Sequence, residues 1–196
     1  MRKGEITRKT EETDVVLSLD LDGTGRSAIN TGVGFFDHML ELFARHGKFD
    51  LDVNCIGDIH VDAHHSVEDI GICLGTAFAR ALGDARGVYR YSDVTLPMDE
   101  ALVFCAIDIS GRSHLSLDVT LPDHAVGAMD TELLEEFLQA FVRKAGITIH
   151  IRMLDGKNAH HIIEACFKSF ARALRAAVKI DGEYRDEIPS TKGALV

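Results

Sequence analysis

Residues His64-His65-Ser66-Val67-Glu68 and His160-His161-Ile162-Ile163-Glu164 spell the same pattern, His-His-x-x-Glu, twice in one chain. Each copy runs into a stretch whose apolar residues recur three and four positions apart. Ile70, Cys73, Leu74, Ala77, Phe78 and Ala81 follow the first; Ala165, Phe167, Phe170, Ala171, Leu174 and Val178 follow the second. That period is helical. On a helix, His64 and Glu68 share a face, as do His160 and Glu164, because side chains four apart are neighbours. His65 and His161 are turned about 100° away and cannot easily serve the same ion as the residue before them. Each helix therefore offers a His–carboxylate pair in one direction and a lone imidazole in another. Two such helices facing each other make two metal sites by exchanging their lone imidazoles. Four of the ten histidines fall within these two motifs, which favours ligation over coincidence.

The repetition extends beyond the histidines. Asp22, Gly25 and Arg26 precede Asp108, Gly111 and Arg112 by 86 residues, Phe43-Ala44-Arg45 precedes Phe141-Val142-Arg143 by 98, and the His pairs are 96 apart. A drifting offset is the mark of short loop insertions in an internal duplication. In the first half the patterning predicts strands over 5–13 and 14–21, a helix over 35–46 and a strand over 49–61 interrupted near Gly57. The first His-His helix then runs to about Gly83. In the second half it predicts strands over 100–109 and 113–121, a helix over 131–144, a strand over 147–154 and the second His-His helix to about Val178. Each half is thus β-β-α-β-α, and each exposes an apolar sheet face that pairing the halves would cover. The expectation is an α+β protein, a single domain over 1–196 with repeats at about 1–86 and 87–180 and a tail at 181–196. The 98-residue offset also aligns His38 with Glu136 on the shorter helix, two competent metal ligands, with Glu135 an adjacent alternative.

Composition narrows the partners. With 21 basic against 31 acidic residues the net charge is −10, which argues against nucleic acid or an anionic membrane. A small anionic substrate remains compatible if basic residues gather locally. The N-terminal residues show no apolar signal segment, and the longest apolar run, 101–107, is too short to span a bilayer. Cys55, Cys73, Cys105 and Cys166 form no CxxC pair and read as reduced core thiols of a cytoplasmic protein. Asp20-Leu21-Asp22-Gly23-Thr24 mimics the nucleophile signature of haloacid-dehalogenase-like phosphatases, with Asp58 and Asp62 imitating the later magnesium motif. Asp20 and Asp58 are only 38 residues apart, too few for the crossovers that fold requires, and the duplication explains the Asp22 turn structurally. A ferritin-like carboxylate bundle needs long continuous helices, and strands interrupt these.

The segments 62–69 and 156–168, with Phe36-Asp37-His38-Met39-Leu40, Asp22-Gly23-Thr24-Gly25, Ser110-Gly111-Arg112 and Pro189-Ser190-Thr191-Lys192-Gly193, resemble the imidazoleglycerol-phosphate dehydratase family over essentially the whole chain. The resemblance implies a ribosomal protein S5 domain 2-like fold and a lyase of histidine biosynthesis. The lyase would dehydrate D-erythro-imidazoleglycerol phosphate to imidazole-acetol phosphate. It implies two Mn²⁺ ions per active site, sites built at subunit interfaces, and a large homo-oligomer of 24 copies. One ion is expected on His38, His64, Glu68 and His161, the other on His65, Glu136, His160 and Glu164. Some members carry His where this chain has Glu136, and many carry Asp where it has Ala63. The chemistry explains the ligands, since the proton to be removed sits beside an imidazole and is not acidic. An imidazolate held between two cations becomes an electron reservoir that can expel the neighbouring hydroxyl through a diazafulvene-like intermediate. By ligand type alone, Zn²⁺ or Fe²⁺ would also suit the site. A carboxylate must shuttle protons. Glu12 matches the family's acid/base position, with Glu68 and Glu164 the other candidates. Arg90, Arg112, Lys168, Ser190 and Lys192 match its phosphate contacts, where fixed cations are needed in a net-acidic protein. A metal-storage shell on the same repeat is the non-enzyme alternative; it would need the metals but not Glu12, Arg90 or Lys192.

Overall fold

Each half builds one four-stranded sheet. In the first, β1 (Lys3–Lys9), β2 (Thr13–Asp20) and β3 (Ser27–Asn30) lead into α1 (Gly34–Gly47), β4 (Asp50–Gly57) and α2 (His64–Leu82). In the second, β5 (Tyr91–Met98), β6 (Ala101–Asp108) and β7 (His114–Asp118) are followed by a small ribbon, β8 (Ala125–Val126) with β9 (Met129–Asp130). Then come α3 (Leu133–Ala145), β10 (Thr148–Asp155) and α4 (Ala159–Ala177). This is a computed structural model that describes residues 2–195. The spatial orders, β1-β2-β4-β3 and β5-β6-β10-β7, correspond strand for strand. In both sheets the last strand pairs parallel with its neighbour while the others pair antiparallel. The duplication expected from the motif offsets is therefore present in the topology.

Each four-stranded sheet holds one strand more than β-β-α-β-α, apart from the separate β8–β9 ribbon of the second half. The additions are β3 and β5, and both are edge strands. β3 is only four residues long and largely exposed, so no apolar alternation marks it. β5 has no fully buried residue and carries Pro97 near its end, which an edge strand tolerates because no ladder donor is required there.

Along β2, Val15, Leu17 and Leu19 are buried whereas Val16 is half-exposed, so each sheet turns one face to the helices and the other to solvent. The helices of the two halves pack across the centre, α2 against α3 and α1 against α4. Phenylalanines fill the seam. Phe137 stacks on Phe167 at 5.3 Å between ring centres and meets Phe36 edge-on at 5.4 Å, while Phe170 lies 5.3 Å from Phe43 and 5.1 Å from Phe141. Two glycines set the spacing of α2 and α3. A Cβ at Gly71 would come within 2.8 Å of the Phe137 carbonyl oxygen, and one at Gly75 within 2.4 Å of that of Phe141. The equivalent positions of α4, at the offset of the His pairs, are Phe167 and Ala171. Only the α2–α3 contact uses glycine.

The tail is pinned to the start of the second half. Gly87 N donates to Glu187 O (2.7 Å), Arg90 Nη1 to Pro189 O (2.7 Å), and Val88 bridges Ile180. The four cysteines are free and buried, and desolvation pushes Cys73 and Cys166 up to about 12, which leaves them unreactive. Among the described residues no helix is long and apolar enough to cross a membrane.

Candidate metal centre and phosphate pocket

Both His pairs sit at helix starts, for local reasons. Asn158 takes the cap position of α4 in extended conformation and its side chain accepts from His161 N. At α2 the cap residue, Ala63, has no side chain to offer, and Asp62 accepts from His64 N at 2.8 Å instead. The first turn of each helix thereby fixes where the rings point.

His38 on α1 meets His160 and Glu164 on α4. These three offer one ligand atom each, all within 4.8 Å of one another, and among the described residues no other set of three His, Cys, Asp or Glu gathers so closely. The His160 ring lies 4.9 Å from that of Phe35, and its Nε2 is 3.6 Å from Glu164 Oε2. Glu164 is buried, and its other oxygen lies 2.6 Å from Lys168 Nζ, one turn further along. Two imidazoles and a carboxylate suit a divalent transition metal. The donors fit the cation expected from the sequence, although the cluster joins one member of the first expected set, His38, to two of the second.

The other half is arranged differently. The duplication sets His64 and Glu68 of α2 against Glu136 of α3, yet Glu68 Oε1 accepts from Arg143 Nη2 at 3.0 Å. These three do not gather as their counterparts do. Within one chain, His64, Glu68 and Glu136 form an open half-site.

The second histidines behave alike. His65 Nδ1 lies 2.9 Å from Asp58 Oδ2 while its Nε2 is 3.6 Å from Glu12 Oε1. His161 Nδ1 lies 2.7 Å from Glu100 Oε2 while its Nε2 is 3.8 Å from Asp99 Oδ2. Without metal, both rings are shifted upward, His65 chiefly by its hydrogen bond to Asp58 and His161 by that to Glu100. Glu100 is held down at about 2 by His161 and by the Asn158 backbone N–H. Glu12 therefore stands beside His65. The loop that carries it is tied down: Thr13 Oγ1 donates to the buried Asp69 of α2 at 2.5 Å, and Arg8 Nε to the same carboxylate at 2.8 Å.

The expected phosphate contacts gather in part. Arg90, Arg112, Ser190 and Lys192 line one cavity of about 360 Å³ together with Tyr91, Ser110 and Thr191. Arg90 is fixed by Asp108 (Nε–Oδ1 2.8 Å), by Pro189 O and by the Tyr91 ring, so its guanidinium is preset. Lys168 does not line this cavity; it stands at the metal cluster, against Glu164 and the Met98 sulfur. Asp58, Asp99 and Glu100 were not expected. Asp58 figured only in the phosphatase mimicry and Glu100 only as a strand start, and nothing in sequence spacing reports that a hairpin turn reaches the head of a distant helix.

A family model described as imidazoleglycerol-phosphate dehydratase matches residues 31–174. Imidazoleglycerol-phosphate dehydratase of Xanthobacter autotrophicus is 58% identical over 195 residues, covering 100% of this chain and 99% of that one. That of Azorhizobium caulinodans is 59% identical with the same coverage. Among solved structures, the Staphylococcus aureus enzyme superposes with a TM-score of 0.84 at 41% identity over 91% of this chain and 99% of the other. The enzyme of Pyrococcus furiosus in complex with (S)-C348 also gives 0.84, at 37% identity over 97% of this chain and 100% of that one. Full-length similarity, the duplicated sheets and the His-His-x-x-Glu helices converge on one conclusion: the chain belongs to the imidazoleglycerol-phosphate dehydratase family.

Proposed function

We infer that the dehydration of imidazoleglycerol phosphate, the reaction of the family's dehydratases in histidine biosynthesis, runs in this chain on two Mn²⁺ ions held between subunits. The observation that carries this is the pairing of one gathered cluster, His38–His160–Glu164, with one open half-site, His64–Glu68–Glu136. A chain with complementary incomplete sites is completed by another chain, and a closed homo-oligomer of 24 copies in the cytoplasm fits that need. That grouping revises the division expected from the sequence: His38, His160 and Glu164 go to one ion and His64, Glu68 and Glu136 to the other, each completed by a second histidine, His65 or His161, of another chain.

Bound manganese supplies Lewis acidity toward the substrate's imidazole nitrogens. The chain does the rest. Arg90, Arg112, Ser190 and Lys192 grip the phosphate and set the reacting carbons. Glu12 moves the protons: as hydroxide leaves the carbon attached to the ring, a diazafulvene-like ring results, and loss of the proton from the next carbon gives the enol. The enol then tautomerises to the ketone. Lys168 pairs with one oxygen of Glu164 at 2.6 Å and leaves the other beside His160. A metal-storage shell has no use for a preset cationic cavity. The test is turnover of imidazoleglycerol phosphate by metal-stripped protein titrated with Mn²⁺, with metal counted per chain. Activity saturating at two ions per active site supports the reading; full activity without metal, or saturation at one ion, sinks it.

A further inference from the structure

Both second histidines hand one nitrogen to a carboxylate of their own chain, and the two halves do this with residues from different places. Asp58 belongs to the 58–63 segment between β4 and α2, whereas the corresponding connection between β10 and α4 spans only 156–158. Glu100 belongs instead to the two-residue turn between β5 and β6; the β1–β2 loop, 10–12, is longer and carries Glu12. The same contact has thus been made twice from non-equivalent positions, which a passive inheritance from the duplicated unit does not produce. The anchoring is also specific. Asp58 is tied to the Glu12 loop through its own N–H (to Glu12 O, 3.1 Å), and its second oxygen is buried without a partner. Glu100 accepts from Lys157 N (3.2 Å) and Asn158 N (2.9 Å) with one oxygen while the other takes His161.

We propose that Asp58 and Glu100 are positioning residues that fix His65 and His161 as Nδ1–H tautomers and aim Nε2 as the ligating atom. The proposal rests on the two-ion reading above. An ionised carboxylate has no hydrogen to give, so at 2.7–2.9 Å the Nδ1 must be the donor and the lone pair of the neutral ring falls on Nε2. Carboxylate partners of this kind orient metal-binding imidazoles and raise their basicity. They also locate ligand and chemistry differently: His65 Nε2 faces Glu12, the proposed proton carrier, and His161 Nε2 faces Asp99.

Two measurements test this. Nitrogen chemical shifts of the two rings in the native, metal-free protein at alkaline pH, where both are neutral, should show the Nδ1–H tautomer; Nε2–H tautomers at both would overturn the proposal. Asp58→Ala and Glu100→Ala should each weaken Mn²⁺ binding, followed by electron paramagnetic resonance, by about 10- to 100-fold. Asp58→Asn and Glu100→Gln keep an acceptor oxygen and should recover most of that loss. If native protein binds Mn²⁺ and both alanine variants, folded by near-UV circular dichroism, bind it equally well, the positioning role falls while the two-ion reading stands. A native chain that takes up no Mn²⁺ overturns the two-ion reading, and the tautomers of the metal-free rings still decide the roles of Asp58 and Glu100.

Discussion

Glu12 stands in the β1–β2 loop, which is one residue longer than its counterpart in the second half, the β5–β6 turn, and lies between strands whose ends are paired at Lys9 and Asp14. It is exposed enough to reach a substrate and close enough to His65 to act beside that proposed ligand. Its proposed task is proton transfer alone, so Glu12→Gln should keep Mn²⁺ content and substrate affinity while kcat falls by roughly 10²–10⁴-fold. Steady-state kinetics alongside metal analysis checks it; a variant purified without manganese would reassign Glu12 to ligation. At this scale the eight proposed His and Glu ligands are legible because six of them repeat in register, and because His38 and Glu136 share one offset. The carboxylates behind the histidines were not legible. Asp58 and Glu100 reach their rings from a loop and from a hairpin turn, and side chains brought together by chain reversal leave no periodic trace.

Elements follow the same division. Helices α1 to α4 lie within a few residues of their expected limits, since each shows an apolar face of period 3.6 and three of them stop at glycine or in a left-handed residue. The missed strands are β3 and β5, which lie at sheet edges with no fully buried residue, and the two-residue β8 and β9, too short to show a pattern. Gly75 shows what helix pairing demands. Gly75→Ala would set a methyl 2.4 Å from a backbone oxygen of α3, and α2 and α3 must then separate. The expected loss is about 1–3 kcal/mol, the usual scale of overpacking, read as a lower urea midpoint. Ala171, at the same place on α4, is already an alanine, so the strain is confined to one side. The start of β4 supplies a pH prediction. Asp50 accepts the backbone N–H groups of Thr24, Gly25 and Arg26 and the Arg26 guanidinium, which hold its carboxyl well below the usual carboxylate range. A depressed folded value means the contribution is complete above the unfolded value, near 4, and is lost as pH falls below it toward the folded one. Asp50→Asn should therefore destabilise the protein by about 1–2 kcal/mol at neutral pH, and the gap from the native chain should close in denaturant titrations repeated at decreasing pH through the acid range.

At the scale of the whole molecule, two sheets with helices between them leave both outer sheet faces and both half-sites at the surface. If metal ligands are drawn from more than one chain, removing the metal removes part of the interface. Chelation should then lower the molecular mass seen by light scattering along with the activity, and Mn²⁺ should restore both; a mass unchanged by complete metal removal would detach assembly from ligation. The open half-site, with Glu68 turned to Arg143, has a further meaning for inheritance. If every working site draws on two chains, the intact fraction of sites falls as the square of the intact fraction of chains. One defective gene copy among two would then leave about a quarter of the sites whole, and a ligand mutation would act as a dominant poison where a mutation of the fold, which keeps its product out of the shell, would be recessive.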